Sequence, residues 1–284
     1  EAALNMDALK ASKIVPLTMK WVNSKYPSLV LIRSRELLNK LVEEGVNEPA
    51  LQLLQSLLTL DKRNSEKEPS ASGNHFIDWE IGQLAEDVIP LLFTRYPSET
   101  LTLLCGILEE RLRRNRDEIA VGYYHVWRPA IEDHEQNSPS DDIDNFLISA
   151  IRDGLLSIGR DNPKLLEKNV NQLDSYGAPV FKRLKIYTVN QYSDLLVDDL
   201  QAAVTDVSVL VSLDFWHEMY YLLKDRFVHL PESVKQEFFN LVRSGLPTDI
   251  ISERCKELHD GETAEERTKK IQAVYRMRLL TPIR

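Results

Sequence analysis

Apolar residues recur at intervals of three and four along nearly the whole chain, as in Leu31, Leu37, Leu38 and Leu41 and again in Leu51, Leu54, Leu57 and Leu58. That spacing places them on one face of a helix, and the alternation that marks a half-buried strand is scarce. The pattern predicts helices over 7–25, 28–44, 49–60, 78–95, 98–116, 143–159, 163–174, 179–192, 194–204, 213–226, 231–244, 248–260 and 263–279. Proline punctuates them at Tyr26-Pro27-Ser28, Glu48-Pro49, Tyr96-Pro97-Ser98 and Asn162-Pro163. In the first turn of a helix the amide that proline lacks would be unpaired anyway, so each break ends one helix and starts the next.

Tyr-Pro-Ser occurs twice, 70 positions apart, which suits two helical hairpins of about 35 residues each. A hairpin with one apolar face cannot cover its own core, and stacking hairpins side by side solves this. The expected fold is therefore all-α, a single helical-repeat domain over 1–284 built as an α-solenoid of the HEAT or tetratricopeptide kind. An irregular helical bundle is the alternative. A subdivision into 1–116 and 143–284 is suggested by the polar, aromatic segment 117–142, and a second polar stretch, 61–75, reads as a surface loop.

Composition narrows the function. The chain is 43% apolar, enough for a sizeable core, and 35 basic against 44 acidic residues give a formal charge of −9, which disfavours general attraction to nucleic acid or anionic lipid. No apolar run approaches the length of a membrane span. Only Cys105 and Cys255 occur, too far apart and too few for a disulfide framework or a metal knuckle, and they read as buried thiols of a cytoplasmic protein. The chain opens on Glu-Ala-Ala rather than Met, which reads as a piece of a larger protein.

Catalytic signatures are missing. There is no Gly-rich phosphate loop and no G-x-S-x-G elbow, so neither a P-loop nucleotide nor any other cofactor is expected. His217-Glu218 opens like the H-E-x-x-H zinc signature but has Tyr221 where the second imidazole must stand; the helix reads instead as core through Phe215, Trp216, Met219, Tyr220, Leu222 and Leu223. His125, Glu132, Asp133, His134 and Glu135 could supply metal ligands or an enzyme site, against a solvated acidic loop. Basic groups stand at Arg111, Arg113, Arg114 and Arg116, at Lys182, Arg183 and Lys185, and at Arg267, Lys269, Lys270, Arg276, Arg278 and Arg284. The first could grip phosphates, but Glu109, Glu110, Asp117 and Glu118 around it favour a salt-laced helix end; the C-terminal group reads as facing a domain elsewhere in the chain, and none of the three has the interleaved aromatics of a nucleic-acid site.

Trp127-Arg128-Pro129-Ala130-Ile131-Glu132-Asp133-His134-Glu135-Gln136-Asn137, with Phe181-Lys182-Arg183-Leu184 and Phe215-Trp216-His217-Glu218-Met219-Tyr220-Tyr221-Leu222-Leu223 downstream, resembles the helical C-terminal region of STAND-class bacterial anti-phage NTPases, the AVAST systems. The resemblance covers roughly residues 120–245 and contains none of the family's effector or ATPase motifs. It implies a non-enzymatic sensor module that binds a protein, a phage protein in that family, and passes the event to ATPase and effector domains elsewhere in the chain. Tyr123, Tyr124, Trp127, Arg128 and His134 are the candidate protein-binding residues, with Trp127 either a hot spot or a packing wedge. A nucleic-acid-associated helical domain using Arg111 to Arg116 and the basic C-terminus, or a general scaffold, is the alternative.

Overall fold

The computed structural model describes residues 2–22, 28–59, 87–114, 128–134, 137, 143–254 and 263–284. Among these, every regular element is helical. We number the helices α1 Val15–Val22, α2 Ser28–Glu43, α3 Asn47–Leu58, α4 87–95, α5 Pro97–Arg114, α6 Ile143–Asp161 and α7 Pro163–Gln172. They continue as α8 Pro179–Gln191, α9 Val197–Thr205, α10 Val207–Val211, α11 Trp216–Arg226, α12 Glu232–Ser244, α13 Thr248–Arg254 and α14 Ala264–Leu280.

Local chemistry sets the boundaries. Pro97, Pro163 and Pro179 each open a helix. Gly45 ends α2 with a φ of 77°; its N–H bonds the Val42 carbonyl while the Val46 N–H reaches back to Leu41, a Schellman cap that needs a residue at ease in the left-handed region. Gly245 ends α12 differently, with a φ of 81°: its N–H bonds the Leu241 carbonyl, and the Leu246 N–H leaves the helix for the Gln272 side chain. Thr263 opens α14 through a reciprocal capping box with Glu266.

Two expectations are corrected. The helix expected over 7–25 is broken into a turn at Ala8–Ala11, a 3-10 turn at Ser12–Ile14 and α1, because Pro16 has no amide to return to Ser12. The connection after α9 contains α10, capped by the Asp206 carboxylate, which accepts from the Ser208 N–H; five residues are too short to show a period.

Some helices pair with chain neighbours, as α6 does with α7, and others line up in rows with helices further along the chain. α2 packs on α3, and α3, α5 and α7 lie side by side; α6, α8 and α11 form a second row; α9, α12 and α14 extend a third. Among the described helices, α5 against α6 is the most extensive contact. Leu38, Leu41, Leu53, Leu54, Leu57, Leu104, Leu108, Ile148, Ile151, Leu184 and Leu222 are among the fully buried residues of a core shared along these rows. Packing is close enough at Gly154 that a Cβ there would stand 2.0 Å from the Phe93 ring of α4. Among the described residues no helix is long and apolar enough to cross a membrane.

Candidate interaction surface

Residues 128–134 form no regular structure, yet Ala130 and Ile131 are completely buried. A buried irregular strand of chain must find partners for its peptide groups. Here side chains from α6, α8 and α11 supply them. Arg183 of α8 donates through Nη1 to the Arg128 carbonyl at 2.6 Å and through Nη2 to the Pro129 carbonyl at 3.0 Å. The same guanidinium forks onto Glu218 of α11, with Nε and Nη2 each 2.8 Å from a carboxylate oxygen. Glu218 Oε1 in turn accepts the Ile131 N–H at 3.1 Å. The segment is thus held as a strap across three helices by contacts to its main chain.

Arg128 closes the strap from below. Its Nη1 donates to the Asn145 carbonyl and Oδ1 at 3.0 and 2.9 Å, and its Nη2 to Ile131 O and Ser149 Oγ at 3.2 and 3.1 Å. Arg152 adds a bond from Nη1 to Ile131 O at 3.1 Å and pairs with Asp133 and Asp153 at 2.7 Å each. Asn137 ties the far end, donating to Glu132 O and accepting from the Ala130 N–H. Three guanidiniums are therefore packed together. Burial, then the charges of Arg152 and Arg183, pull the Arg128 pKa down to about 10. Burial also opposes the charge of Arg152, but its hydrogen bonds to Asp153 and Asp133 outweigh this and hold its pKa above the usual arginine value.

These positions bear on the residues singled out from the sequence. Arg128 is 2% exposed, so its guanidinium lies inside the fold and not on a surface that a partner could touch. His134 is exposed, and its carbonyl accepts the Asn137 N–H. Tyr123, Tyr124 and Trp127 lie outside the described residues, as do His125, Glu135 and Arg116. The structure brings Arg128, Glu132 and His134 onto one strap, with Glu132 Oε1 3.3 Å from His217 Nε2. On α11, Met219, Leu222 and Leu223 are core as expected, whereas Phe215, Trp216 and Tyr220 are only half-buried.

The basic groups are largely engaged. Arg111 pairs with Asp144, and Arg113 and Arg114 share Glu110, which holds that carboxyl below its usual pKa through hydrogen bonds from both. Lys182, Arg183 and Lys185 are not a surface patch. Arg183 is buried on Glu218, and Lys185 is buried on Asp174, Asp199 and Asn171. In α14, Arg278 donates to the buried Leu210 carbonyl, Arg276 to the Val242 and Arg243 carbonyls, and Lys269 pairs with Glu265.

Neither the Arg183–Glu218 pair nor its hold on the strap was anticipated. The signal was present: Arg183 shares a helix face with Val180 and Ile186, and Glu218 with Leu222, so each charge sits on an apolar stripe where only a partnered ion is tolerated.

Cys105 is completely buried, and burial pushes its thiol pKa far up; Cys255 lies outside the described residues. Among the described residues no cluster of three or more His, Cys, Asp or Glu could hold a metal ion.

Open surface lies elsewhere. A groove of about 690 Å³ runs across α3, α5 and α7, with Leu51, Leu103 and Tyr96 toward its floor and Gln52, Gln55 and Thr102 exposed at its rim. A second groove of about 690 Å³ lies between α4 and α6, walled by Phe93, Phe146 and Ala150 and by the paired charges of Arg152, Asp153, Arg160 and Asp161. The chain matches no protein-family model, no curated protein sequence and no solved structure.

Proposed function

We propose that this chain is a non-enzymatic protein-binding module in which helical hairpins stack as an α-solenoid. The groove across α3, α5 and α7 carries the reading. It spans three successive hairpins, combines an apolar floor with side-chain amides and hydroxyls, and so offers one surface to a partner that contacts several repeats together. The side-by-side rows of helices support the solenoid over an irregular bundle. Following the resemblance of the Trp-Arg-Pro block, the module would be the cytoplasmic ligand-sensing part of a STAND-class anti-phage NTPase, with a phage protein as ligand. In that role the strap would join successive hairpins so that binding on one is felt by the next.

Affinity capture with this chain from phage-infected and uninfected bacterial lysates, in the presence of nuclease, tests the reading. A phage protein retained only after infection, and lost on Gln52→Arg/Gln55→Arg at an unchanged melting temperature, is the expected result. Equal capture of host proteins from both lysates would remove the sensor role and leave a general scaffold. Binding that vanishes with nuclease would replace the protein partner with nucleic acid. Capture undiminished by the two substitutions would reject the groove.

A further inference from the structure

The strap, α8 and α11 enclose a small cavity of about 70 Å³, to which Glu132, Tyr187, His217, Glu218, Tyr221 and Asp225 all contribute. We propose that it is an anchor pocket for one cationic side chain, the guanidinium of an arginine or the ammonium of a lysine, presented by a protein partner. The partner's being a protein rests on the function proposed above; the chemistry of the pocket does not.

The charge balance comes first. None of the residues lining the cavity is a lysine or an arginine. Glu218 is neutralised in place by Arg183. Glu132 touches His217 through Oε1, and Asp225 accepts from the Asn190 amide through Oδ2, so each keeps a second oxygen to offer a donor. Two of the cations nearby are turned to other tasks, Arg152 being paired with Asp133 and Asp153 and Arg226 donating to the Asn190 carbonyl and Oδ1, while Lys224 stands beside the Tyr221 ring at the pocket's edge.

The walls supply the second requirement. His217 and Tyr221 stand with ring centroids 5.1 Å apart, and Tyr220 packs edge-on against Tyr221 and fixes its plane. Lys224 already lies 5.8 Å from the Tyr221 centroid, so this ring meets a cation from its own chain. A π-face beside a carboxylate binds an organic cation better than either alone, because the ring tolerates the desolvated charge while the carboxylate accepts its N–H bonds. Burial lifts the Tyr187 hydroxyl above its usual pKa, opposed by Arg152 and reinforced by Glu132, Asp153 and Asp133. Tyr221 and Glu132 are open enough to solvent to leave the mouth accessible. The volume suits the head of one side chain and is too small for a peptide or a nucleotide.

The test is a nuclear magnetic resonance titration of the whole chain with ethylguanidinium and with n-butylammonium at constant ionic strength, using n-butanol as the neutral control. The expected result is saturable shifts at His217, Tyr221 and Tyr187 with the cations alone, and binding about tenfold weaker in Glu132→Gln/Asp225→Asn. Tyr221→Leu keeps the apolar bulk and should weaken binding without a change of melting temperature. Equal shifts with n-butanol, no saturable shift, or undiminished binding in the double variant would overturn the pocket. If the cations bind while no protein is captured from any lysate, the pocket stands and the protein-binding function falls. If a protein is captured equally by wild type and by Tyr221→Leu, the function stands and the pocket is not its anchor.

Discussion

Arg183 and Glu218, on helices α8 and α11, face each other at 2.8 Å with 1% of either side chain exposed, and together they hold three peptide groups of the strap. An ion pair taken this far from water gains little net stability by itself, since desolvation offsets most of the attraction. Its value lies in what else it binds. The carbonyl of Arg128 and the N–H of Ile131 would otherwise be buried without partners, each at a cost of about 1–3 kcal/mol.

Removing one partner is accordingly expected to be severe. Glu218→Gln keeps the shape but leaves Arg183 as an uncompensated buried cation beside Arg128 and Arg152, and should destabilise the chain by about 3–5 kcal/mol in urea unfolding. Arg183→Met/Glu218→Leu removes both charges and should recover part of that loss. It should still leave the Ile131 amide exchanging with solvent faster than in the wild type, because no carboxylate remains to accept it. A double variant as unstable as Glu218→Gln would mean that the lost strap contacts, not the stranded charge, set the cost.

Gly154 offers a separate check on packing between α4 and α6. A Cβ built there would lie 2.0 to 2.3 Å from three carbons of the Phe93 ring, well inside contact distance. Gly154→Ala should therefore lower stability by about 1–3 kcal/mol, despite the helix propensity that alanine adds. Phe93→Leu in the same chain should restore much of it. Thermal unfolding of the two single variants and the double gives the coupling, and simple additivity would contradict the contact.

The contrast between these two sites explains what the sequence conveys and what it hides. Helices α2 to α9 and α11 to α14 are visible in the three-and-four spacing, in prolines at first turns and in glycines at ends, because each is a local rule acting within a few residues. α10 is hidden because five residues show no period, and the break before α1 because a single proline is easily read as tolerated. The strap is the harder case. Trp127-Arg128-Pro129 stands out as unusual, yet nothing in its neighbourhood says that Arg128 turns inward, since its acceptors are Asn145 and Ser149, and the strap is gripped from residue 183. A charge on an apolar stripe signals that a partner exists but not which one, so Arg183 reads as part of a basic surface until the fold brings Glu218 to it.

Alkaline conditions probe the buried phenols. Burial raises the pKa of Tyr176, Tyr187, Tyr192 and Tyr275 above the ordinary tyrosine value, in each case as the largest cause. A raised folded pKa means that the folded state keeps its proton after the unfolded chain has lost it. The resulting stability is fully present below the unfolded pKa of about 10 and is lost as pH climbs through the folded values. Tyr192 sharpens the effect, because its hydroxyl donates to the Leu156 carbonyl at 2.6 Å and a phenolate cannot. The urea midpoint should hold steady from pH 8 to about 9.5 and fall beyond it. Tyr192→Phe should flatten part of that fall at the expense of stability at neutral pH; an alkaline limb unchanged in this variant would remove Tyr192 from the account.

Cys105 reports opening of the α5 region directly. Its thiol is fully buried among Leu101, Leu104 and Leu108, and burial raises its pKa far above that of a free cysteine, so almost no thiolate exists for an alkylating reagent to find. Alkylation should therefore proceed only through unfolding, with a rate that follows global stability across urea concentrations. Mass spectrometry of the peptide containing Cys105 separates it from Cys255. Glu218→Gln should accelerate labelling of Cys105 by the factor that its loss of stability predicts, if α5 and the strap unfold as one unit. Labelling that stays at the wild-type rate while the strap variant is destabilised would show instead that the helices before the strap open independently of those behind it.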